Sequence, residues 1–330
     1  EARDPNRVVV GDAAQVREAI AAQARAGYQA VKIYGRLRAE EFAEVARVAA
    51  EVHLPIFGHL SRHNDVARAL RGGQVMVAHA EEFYYQSFDS RPDSARMAEV
   101  VAMVRDAGTT VTPNLSAIEY IVRVAADVDA VLAEDELRLA APELRQRWSP
   151  AYSRYATRPE LAKFRARNEV MLEFLRALTL ALHRTGVPLL AGSDASVTGW
   201  PGDGLHRELA QLVAAGLTPY AALVTATRGA GEFVARYIDA NARFGVVAAG
   251  ARADLVLLTA DPRRDIANAR RIAGVFTGGR WRTADELRAL REAEARRFVG
   301  QLRWTAMFDA AVLARRWADV AGVLAQVADA

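Results

Sequence analysis

The chain has 330 residues, of which 52% are hydrophobic and 25% charged, and this length accommodates one barrel-sized domain with an appendage. The 43 basic and 40 acidic residues give a net charge of only +3, and no basic cluster is interleaved with aromatic residues, which argues against nucleic-acid binding. The absence of cysteine excludes disulfides, thiolate nucleophiles and cysteine-based zinc sites.

Helical and strand patterns alternate through the first 240 residues, where apolar residues recur at helical spacing or in short runs. Repeated strand–helix units predict parallel strands joined by crossover helices, and therefore an α/β fold. Predicted strands cover residues 30–34, 55–59, 75–79, 109–113 and 187–192. Predicted helices cover residues 12–26, 39–52, 64–70, 94–106, 205–215 and 219–235, and a long, mostly helical insertion covers about 117–184.

The pattern changes near residue 244. Short strands are predicted at 244–247, 254–258 and 272–276, and Gly278-Gly279 predicts the turn of a hairpin. These features indicate a small β appendage over residues 241–282, followed by a helical extension over 283–330. The part of this extension beyond Leu287 is a candidate for packing against a second copy of the chain, although the sequence does not fix an oligomeric state.

Lys32 is the most informative single residue. Only Lys32 and Lys163 are lysines, and all other basic residues are arginine. Lys163 lies in a charged helical stretch, which indicates a surface role, whereas Lys32 lies in the apolar run GYQAVKIYG. A lysine at this position indicates chemistry that a guanidinium cannot perform. The alternative is a lysine whose aliphatic stem is buried while its amine reaches water.

Four ionisable residues fall at the carboxyl ends of predicted strands: Lys32, His59, His79 and Asp194. In a barrel of parallel strands these ends converge on the face that carries the active site. Each residue alone has a simpler explanation, because a strand-end histidine is often structural and Asp194 could begin a turn. Their common position is more specific. Tyr34, two residues after Lys32, should point to the same side of the strand.

The motifs VKIY, the GH after the second strand, AHAEE and LLAGSDAS resemble the amidohydrolase superfamily, in particular its imidazolonepropionase-like branch. FGVVAAGARADLVLL extends the resemblance, which covers roughly residues 8–281. It implies a (β/α)8 TIM-type barrel of the metallo-dependent hydrolase type, represented here by about its last five strands. It also implies that residues 241–282 are the carboxyl-terminal part of a small β-sandwich.

The resemblance also implies a metal site. Lys32 would be a carboxylated lysine that bridges two divalent ions, His59 and His79 would be ligands from the fifth and sixth family strands, and Asp194 would be a ligand from the eighth. A carbamate requires a primary amine, which arginine does not offer. Zinc is the expected metal, with manganese or iron as alternatives.

The sequence departs from the family in one respect. The family supplies a His-x-His pair from its first strand, but no two of the six histidines here are separated by one residue. The strand with Lys32 is the first predicted strand, whereas it is the fourth in the family. We favour a fragment of a longer enzyme. Completion by another chain and loss of that half are the alternatives.

The expected reaction is hydrolysis of a C–N bond in an amide, a cyclic amide or a peptide-like substrate by a metal-activated hydroxide. Asp194 would act as general base and then as general acid. Tyr34 and His206 are candidate substrate-binding residues, with packing and a helix-surface position as their respective alternatives. Two other functions remain open: a truncated, non-catalytic barrel without a complete metal site, and a metal-independent α/β binding protein.

No apolar run approaches the roughly 20 residues of a membrane span, so we expect no membrane association. The chain opens on polar residues and lacks an initial Met, so the missing signal peptide says little about the compartment. A cytoplasmic location is the default, and a signal peptide in a preceding segment is the alternative. The expected partner is a small-molecule amide or a peptide-like substrate.

Overall fold

The alternating pattern folds into an α/β structure with a parallel sheet in a computed structural model that describes residues 7–150, 153–195 and 202–313. Four strands form this sheet in the order β1-β2-β3-β4, and three later strands form an antiparallel sheet in the order β5-β6-β7. The strands are β1 (Val31–Ile33), β2 (Ile56–Gly58), β3 (Gln74–Ala78), β4 (Thr110–Thr112), β5 (Leu255–Leu258), β6 (Ile272–Thr277) and β7 (Arg280–Thr283).

The predicted helices are present among the described residues with small shifts at their ends, except that residues 219–235 form two helices and that the helix Glu81–Gln86 was not predicted. They are α1 (Ala13–Arg25), α2 (Ala39–Glu51), α3 (Val66–Arg71), α4 (Glu81–Gln86), α5 (Met97–Asp106), α6 (Leu115–Ala126), α7 (Val128–Leu132), α8 (Pro142–Trp148), α9 (Leu161–Arg184), α10 (Asp203–Ala214), α11 (Pro219–Ala226), α12 (Arg228–Tyr237) and α13 (Ala284–Leu313). Residues 314–330 of the predicted helical extension lie outside the described residues. None of the described helices is long and apolar enough to cross a membrane.

Two compact units divide the chain. The first unit runs to Leu115 and adds Glu173–Gly192 and Leu209–Arg252, so it contains the parallel sheet and α1–α5. The second unit comprises Ser116–Leu172, Ser193–Glu208 and the residues from Ala253 onward.

The parallel sheet of the first unit and the helices around it share a buried apolar core. Val77 of β3 and Val111 of β4 are fully buried, and Phe42 of α2 is 1% exposed. Asp12 begins α1 as its N-cap, because its side chain accepts a hydrogen bond from the backbone N–H of Gln15. Asp65 caps α3 in the same way at Arg68. These caps fix the residues at which α1 and α3 begin.

Three sequence predictions in this unit were wrong in detail. Residues 187–192 form only an isolated parallel bridge between Leu189 and Val111, because Pro188 has no N–H and the N–H of Ala191 bonds to Thr225. The predicted helix at 219–235 is two helices, α11 and α12, with a break at Thr227.

Residues 244–247 were predicted as a strand and do not form one. Their backbone packs against the junction of α11 and α12 instead. A Cβ on Gly231 would overlap the carbonyl oxygen of Phe244, and a Cβ on Gly245 would overlap that of Thr227. Two glycines therefore permit a close backbone approach that replaces strand pairing.

The second unit holds a helical core built on aromatic residues. Tyr120, Trp148 and Tyr155 are at most 9% exposed and pack with aliphatic residues of the insertion. The same unit contains the predicted hairpin, in which β6 and β7 pair with Thr277 opposite Arg280. Residues 255–257 of β5 are exposed although they are apolar.

Candidate functional site

The ends of β1, β2 and β3 position three of the predicted site residues. The parallel register pairs Lys32 with Phe57 and Gly58 with Val77. His59 and His79 directly follow β2 and β3, and their backbone N–H groups extend the ladder. That of His59 donates to the carbonyl of Ile33 (3.0 Å), and that of His79 donates to the carbonyl of Thr112 (2.9 Å). Both histidines are therefore fixed at the carboxyl edge of the sheet.

The side chains of these residues meet at this edge. The His59 ring lies 4.5 Å from the Tyr34 ring and 4.6 Å from the His79 ring, measured between centroids. Lys32 and Tyr34 are exposed while Val31 and Ile33 are buried, as the strand alternation predicts. The structure thus brings Lys32, Tyr34, His59 and His79 to one side of the first unit.

Gly58 allows β1 and β2 to approach each other beside Lys32. Its φ of 112° is a conformation that side-chain-bearing residues rarely adopt. A Cβ at this position would overlap the carbonyl oxygen of Ile33 and lie 3.0 Å from Cγ of Lys32. The glycine of the GH motif is therefore a structural requirement of the site, a role that the sequence analysis did not assign.

His59 is a neutral imidazole in this environment. Its burial lowers its pKa to about 3, and the positive charges of His79, Lys32 and Arg62 contribute to the shift, while the Ile33 backbone opposes it. Its Nδ1 atom is buried and has no hydrogen-bond partner among the described residues. A neutral imidazole with an uncommitted nitrogen is the form that binds a metal ion.

His79 and Asn114 both end their strands with an unusual backbone. His79 has φ 71° and is 6% exposed, and Asn114, two residues after β4, has φ 55° and is 3% exposed. The amide oxygen of Asn114 is buried without a hydrogen-bond partner among the described residues, and a Cβ on Gly192 would lie 2.9 Å from its Nδ2. The sequence analysis missed Asn114, although Asn tolerates positive φ and here follows a proline at a strand end.

Glu82 is connected through Gln86 to the loop that carries His59. Glu82 is 4% exposed, and burial raises its pKa to about 7. Gln86 Nε2 donates to Glu82 Oε2 (2.8 Å) and to the carbonyl of Leu60 (3.1 Å), so it connects α4 to the residue that follows His59. The backbone N–H of Glu82 donates to the carbonyl of His79 (3.0 Å). Glu82 and Gln86 therefore link the segments that hold the two histidines.

Asp194 and His206 belong to the second unit. Asp194 is partly buried and has φ 46°. His206 lies on α10 and is partly buried, and burial and the charge of Arg270 lower its pKa. Four of the six predicted site residues therefore lie in the first unit, and Asp194 and His206 lie in the second unit.

The donor atoms fit part of a metal site. His59 and His79 supply two adjacent imidazoles, and Lys32 supplies a primary amine on the neighbouring strand. Within the described part of the chain, no group of three or more His, Cys, Asp or Glu side chains could hold a metal ion. The residues of the first unit are therefore compatible with a divalent metal but do not form a complete ligand set by themselves.

Comparison with solved structures identifies the fold. A bottromycin amidohydrolase matches with a TM-score of 0.68 and 23% identity over 89% of this chain and 65% of its own length. A Xaa-Pro dipeptidase with bound methionine matches with a TM-score of 0.59 and 17% identity over 86% of this chain and 63% of its own. The ochratoxinase of A. niger matches with a TM-score of 0.58 and 17% identity over 86% of this chain and 59% of its own length.

This chain therefore spans less than two thirds of the length of these three relatives. No curated protein matches the sequence. The family model described as "Amidohydrolase family" matches residues 7–282, which is most of the chain. This match, together with the shared fold, shows that the chain belongs to the amidohydrolase family.

Proposed function

We propose that the protein hydrolyses a C–N bond in an amide, a cyclic amide or a peptide-like substrate, and that divalent metal ions are held by Lys32, His59, His79 and Asp194. Family membership supports the reaction class, and among the structural relatives are an amidohydrolase and a dipeptidase. One observation carries the proposal. The neutral His59 ring lies 4.6 Å from the His79 ring at the carboxyl edge of the sheet, where Lys32 also lies.

The architecture that accompanies this function is a (β/α)8 barrel of which residues 1–240 form a part, with the insertion at about 117–184. Four parallel strands and the bridged segment at Leu189 support it. Residues 241–282 would be the carboxyl-terminal part of a small β-sandwich, and residues 283–330 a helical extension. The antiparallel β5-β6-β7 sheet and α13 support this division.

Zinc is the metal that two imidazoles and a carboxylate suit, with manganese or iron as alternatives. A carboxylated Lys32 would supply an anionic oxygen ligand to the metal ions. Bound ions would lower the pKa of a water molecule and polarise the scissile carbonyl. The low pKa of His59 supports metal binding at neutral pH, because a proton does not compete for its imidazole there.

The side chains of the protein would direct the substrate and the proton. Asp194 would accept a proton from the attacking water and deliver it to the leaving nitrogen. The exposed phenol of Tyr34, whose ring contacts His59, would donate a hydrogen bond to the substrate. His206 remains a second candidate for substrate binding.

Substitution of Lys32 tests the carbamate. Lys32→Arg keeps the positive charge but removes the primary amine, so we expect the metal content and the activity to be lost while circular dichroism stays unchanged. Lys163→Arg is the matched control, because Lys163 is exposed and pairs with the exposed Glu160. Unchanged metal content in Lys32→Arg, measured by elemental analysis, would overturn the carbamate proposal.

A second candidate is a non-catalytic barrel without a working metal site. The exposed apolar surface of β5 is the observation that favours it. It predicts that the purified protein binds no zinc at any stoichiometry, even after incubation with zinc and bicarbonate.

A further inference from the structure

Gln74 is a buried polar residue at the beginning of β3, the strand that pairs with β2. It is only 1% exposed. Its side-chain nitrogen Nε2 donates hydrogen bonds to the backbone carbonyl oxygens of Gly58 (3.1 Å) and His59 (3.0 Å), and the carbonyl oxygen of Met76 lies 3.5 Å away. Because these three neighbours are all acceptors, the amide presents its nitrogen and not its oxygen to them.

The two carbonyl groups lie where the chain turns after β2. In an extended strand, consecutive carbonyl groups point in opposite directions, so a single donor does not reach both. Gln74 reaches both because the backbone leaves the extended conformation at Gly58, which has a φ of 112°. An NH2 group carries two N–H bonds and therefore suits two acceptors.

The backbone of His59 is held from both neighbouring strands. On the side of β1, its N–H donates to the carbonyl of Ile33 (3.0 Å). On the side of β3, Gln74 donates to its carbonyl and to that of the preceding residue. Both peptide groups that flank the His59 Cα atom are therefore fixed, and with them the direction in which the imidazole leaves the backbone.

Packing alone does not account for a glutamine at this position. The side-chain oxygen Oε1 of Gln74 is buried and has no hydrogen-bond partner among the described residues. A buried amide oxygen without a partner destabilises the folded state. An apolar side chain of similar size would avoid this cost, but it would not donate to the two carbonyl groups. The residue is therefore better explained by the backbone that it holds than by the core that it fills.

We propose that Gln74 is a positioning residue of the metal site, and that it holds the His59 imidazole in the orientation that binds a divalent ion. It acts through the carbonyl groups of Gly58 and His59 and is not itself a ligand. Residues that orient the ligands of a metal ion contribute about 10- to 100-fold to its affinity. This inference rests on the proposed metal site and adds a residue that preorganises one of its ligands.

The affinity for zinc tests the inference. Gln74→Met keeps the length of the side chain and removes both donors, so we expect the Kd for zinc, measured by competition with a chelator, to rise about tenfold or more. Thr109→Val is the matched control. Thr109 is also 1% exposed, and its Oγ1 donates to the backbone carbonyl of Gln74 (3.1 Å) and not to the segment that carries His59. Its Kd should stay within about twofold of the wild type.

Urea titrations of the metal-free variants separate positioning from general stability. Gln74→Met and Thr109→Val each remove buried hydrogen bonds of the same sheet, so both should unfold at lower urea concentrations than the wild type. Gln74→Glu is a second variant of the same size. Its buried carboxyl stays protonated and offers one O–H in place of two N–H donors, so we expect a smaller rise in Kd. Zinc affinities that fall in parallel with stability in all variants, or an unchanged Kd in Gln74→Met, would overturn the inference.

A measurement without metal distinguishes this inference from the proposed function. In NMR spectra of the histidine side chains, with His59 assigned from a His59→Asn variant, Gln74→Met should shift the His59 signals and Thr109→Val should not. This result in a protein that retains no zinc would support the positioning of His59 and contradict the proposed function. Zinc binding by the wild type with the same Kd and the same His59 signals in Gln74→Met would support the metal site and contradict the inference.

Discussion

The imidazole rings of His59 and His79 lie 4.6 Å apart, which is close to the separation of about 4.8 Å between neighbouring strands of a sheet. The two residues directly follow the paired strands β2 and β3. The ring separation therefore matches the strand spacing, and we expect a change that moves one strand end to change the distance between the rings.

Gly58→Ala should disturb this relationship. The new Cβ would overlap the carbonyl oxygen of Ile33, so β1 and β2 must separate next to Lys32. Gly73→Ala is the control, because Gly73 also has positive φ (98°) but its Cβ would meet nothing within 4 Å. We expect Gly73→Ala to cost about 1–3 kcal/mol of unfolding free energy from backbone strain.

Gly58→Ala should cost at least about 2 kcal/mol more than the control, because the steric overlap adds to the strain. Urea titrations of the two variants measure the difference. Equal losses would show that the approach of β1 to β2 does not depend on the glycine.

Glu82 should make the protein less stable as the pH rises. The folded pKa of about 7 lies above the ordinary glutamate pKa of 4.5, so the folded state binds this proton more tightly. The contribution is complete below pH 4.5 and is lost as the pH rises through 7. Between pH 5 and pH 8 we expect Glu82 to remove about 2 kcal/mol of unfolding free energy from the metal-free protein.

Glu82→Gln should abolish this part of the pH dependence of the unfolding free energy. A glutamine side chain is neutral at every pH, as the protonated carboxyl group of Glu82 is. Glu18→Gln, on the exposed side of α1, should leave the dependence as in the wild type. Urea titrations at pH 5 and pH 8 measure the unfolding free energy of each variant. If Glu82→Gln loses as much stability between these pH values as the wild type does, Glu82 is not the cause of the loss.

Asp203 should stabilise the second unit through two arginines. Its Oδ1 accepts a hydrogen bond from Arg270 Nη2 (2.6 Å) and its Oδ2 accepts one from Arg207 Nε (2.5 Å), although Asp203 is only 8% exposed. Asp203→Asn should cost about 2–3 kcal/mol because two charge-assisted bonds are weakened. Thermal unfolding should show a much smaller effect for Asp285→Asn, whose pair with Arg288 is exposed.

The local features of the fold could be predicted from the sequence. Asp12 caps α1, and the alternation of Val31, Lys32, Ile33 and Tyr34 gives β1 one buried and one exposed side. These outcomes depend on neighbouring residues only. Lys32, His59 and His79 could be placed together because the carboxyl ends of adjacent parallel strands meet at one edge.

The errors arose where distant residues decide the backbone conformation. Residues 244–247 have the apolar pattern of a strand, but Gly231 and Gly245 let their backbone pack against α11 and α12. The break at Thr227 is followed by Gly229, and a Cβ at Gly229 would lie 3.0 Å from the carbonyl oxygen of Val224, a contact that the local apolar pattern does not show. Asn114 was not recognised as part of the site, since its burial depends on loops that no local pattern encodes.

Metal analysis of the purified protein tests the central claim most directly. After incubation with zinc and bicarbonate and removal of the free metal, the wild type and His63→Asn, which changes an exposed histidine four residues after His59, should hold the same amount of zinc. His79→Asn should lose most of it, with circular dichroism unchanged. A wild type that retains no metal, or a His79→Asn variant that retains as much as the wild type, would contradict a metal site at the ends of β2 and β3.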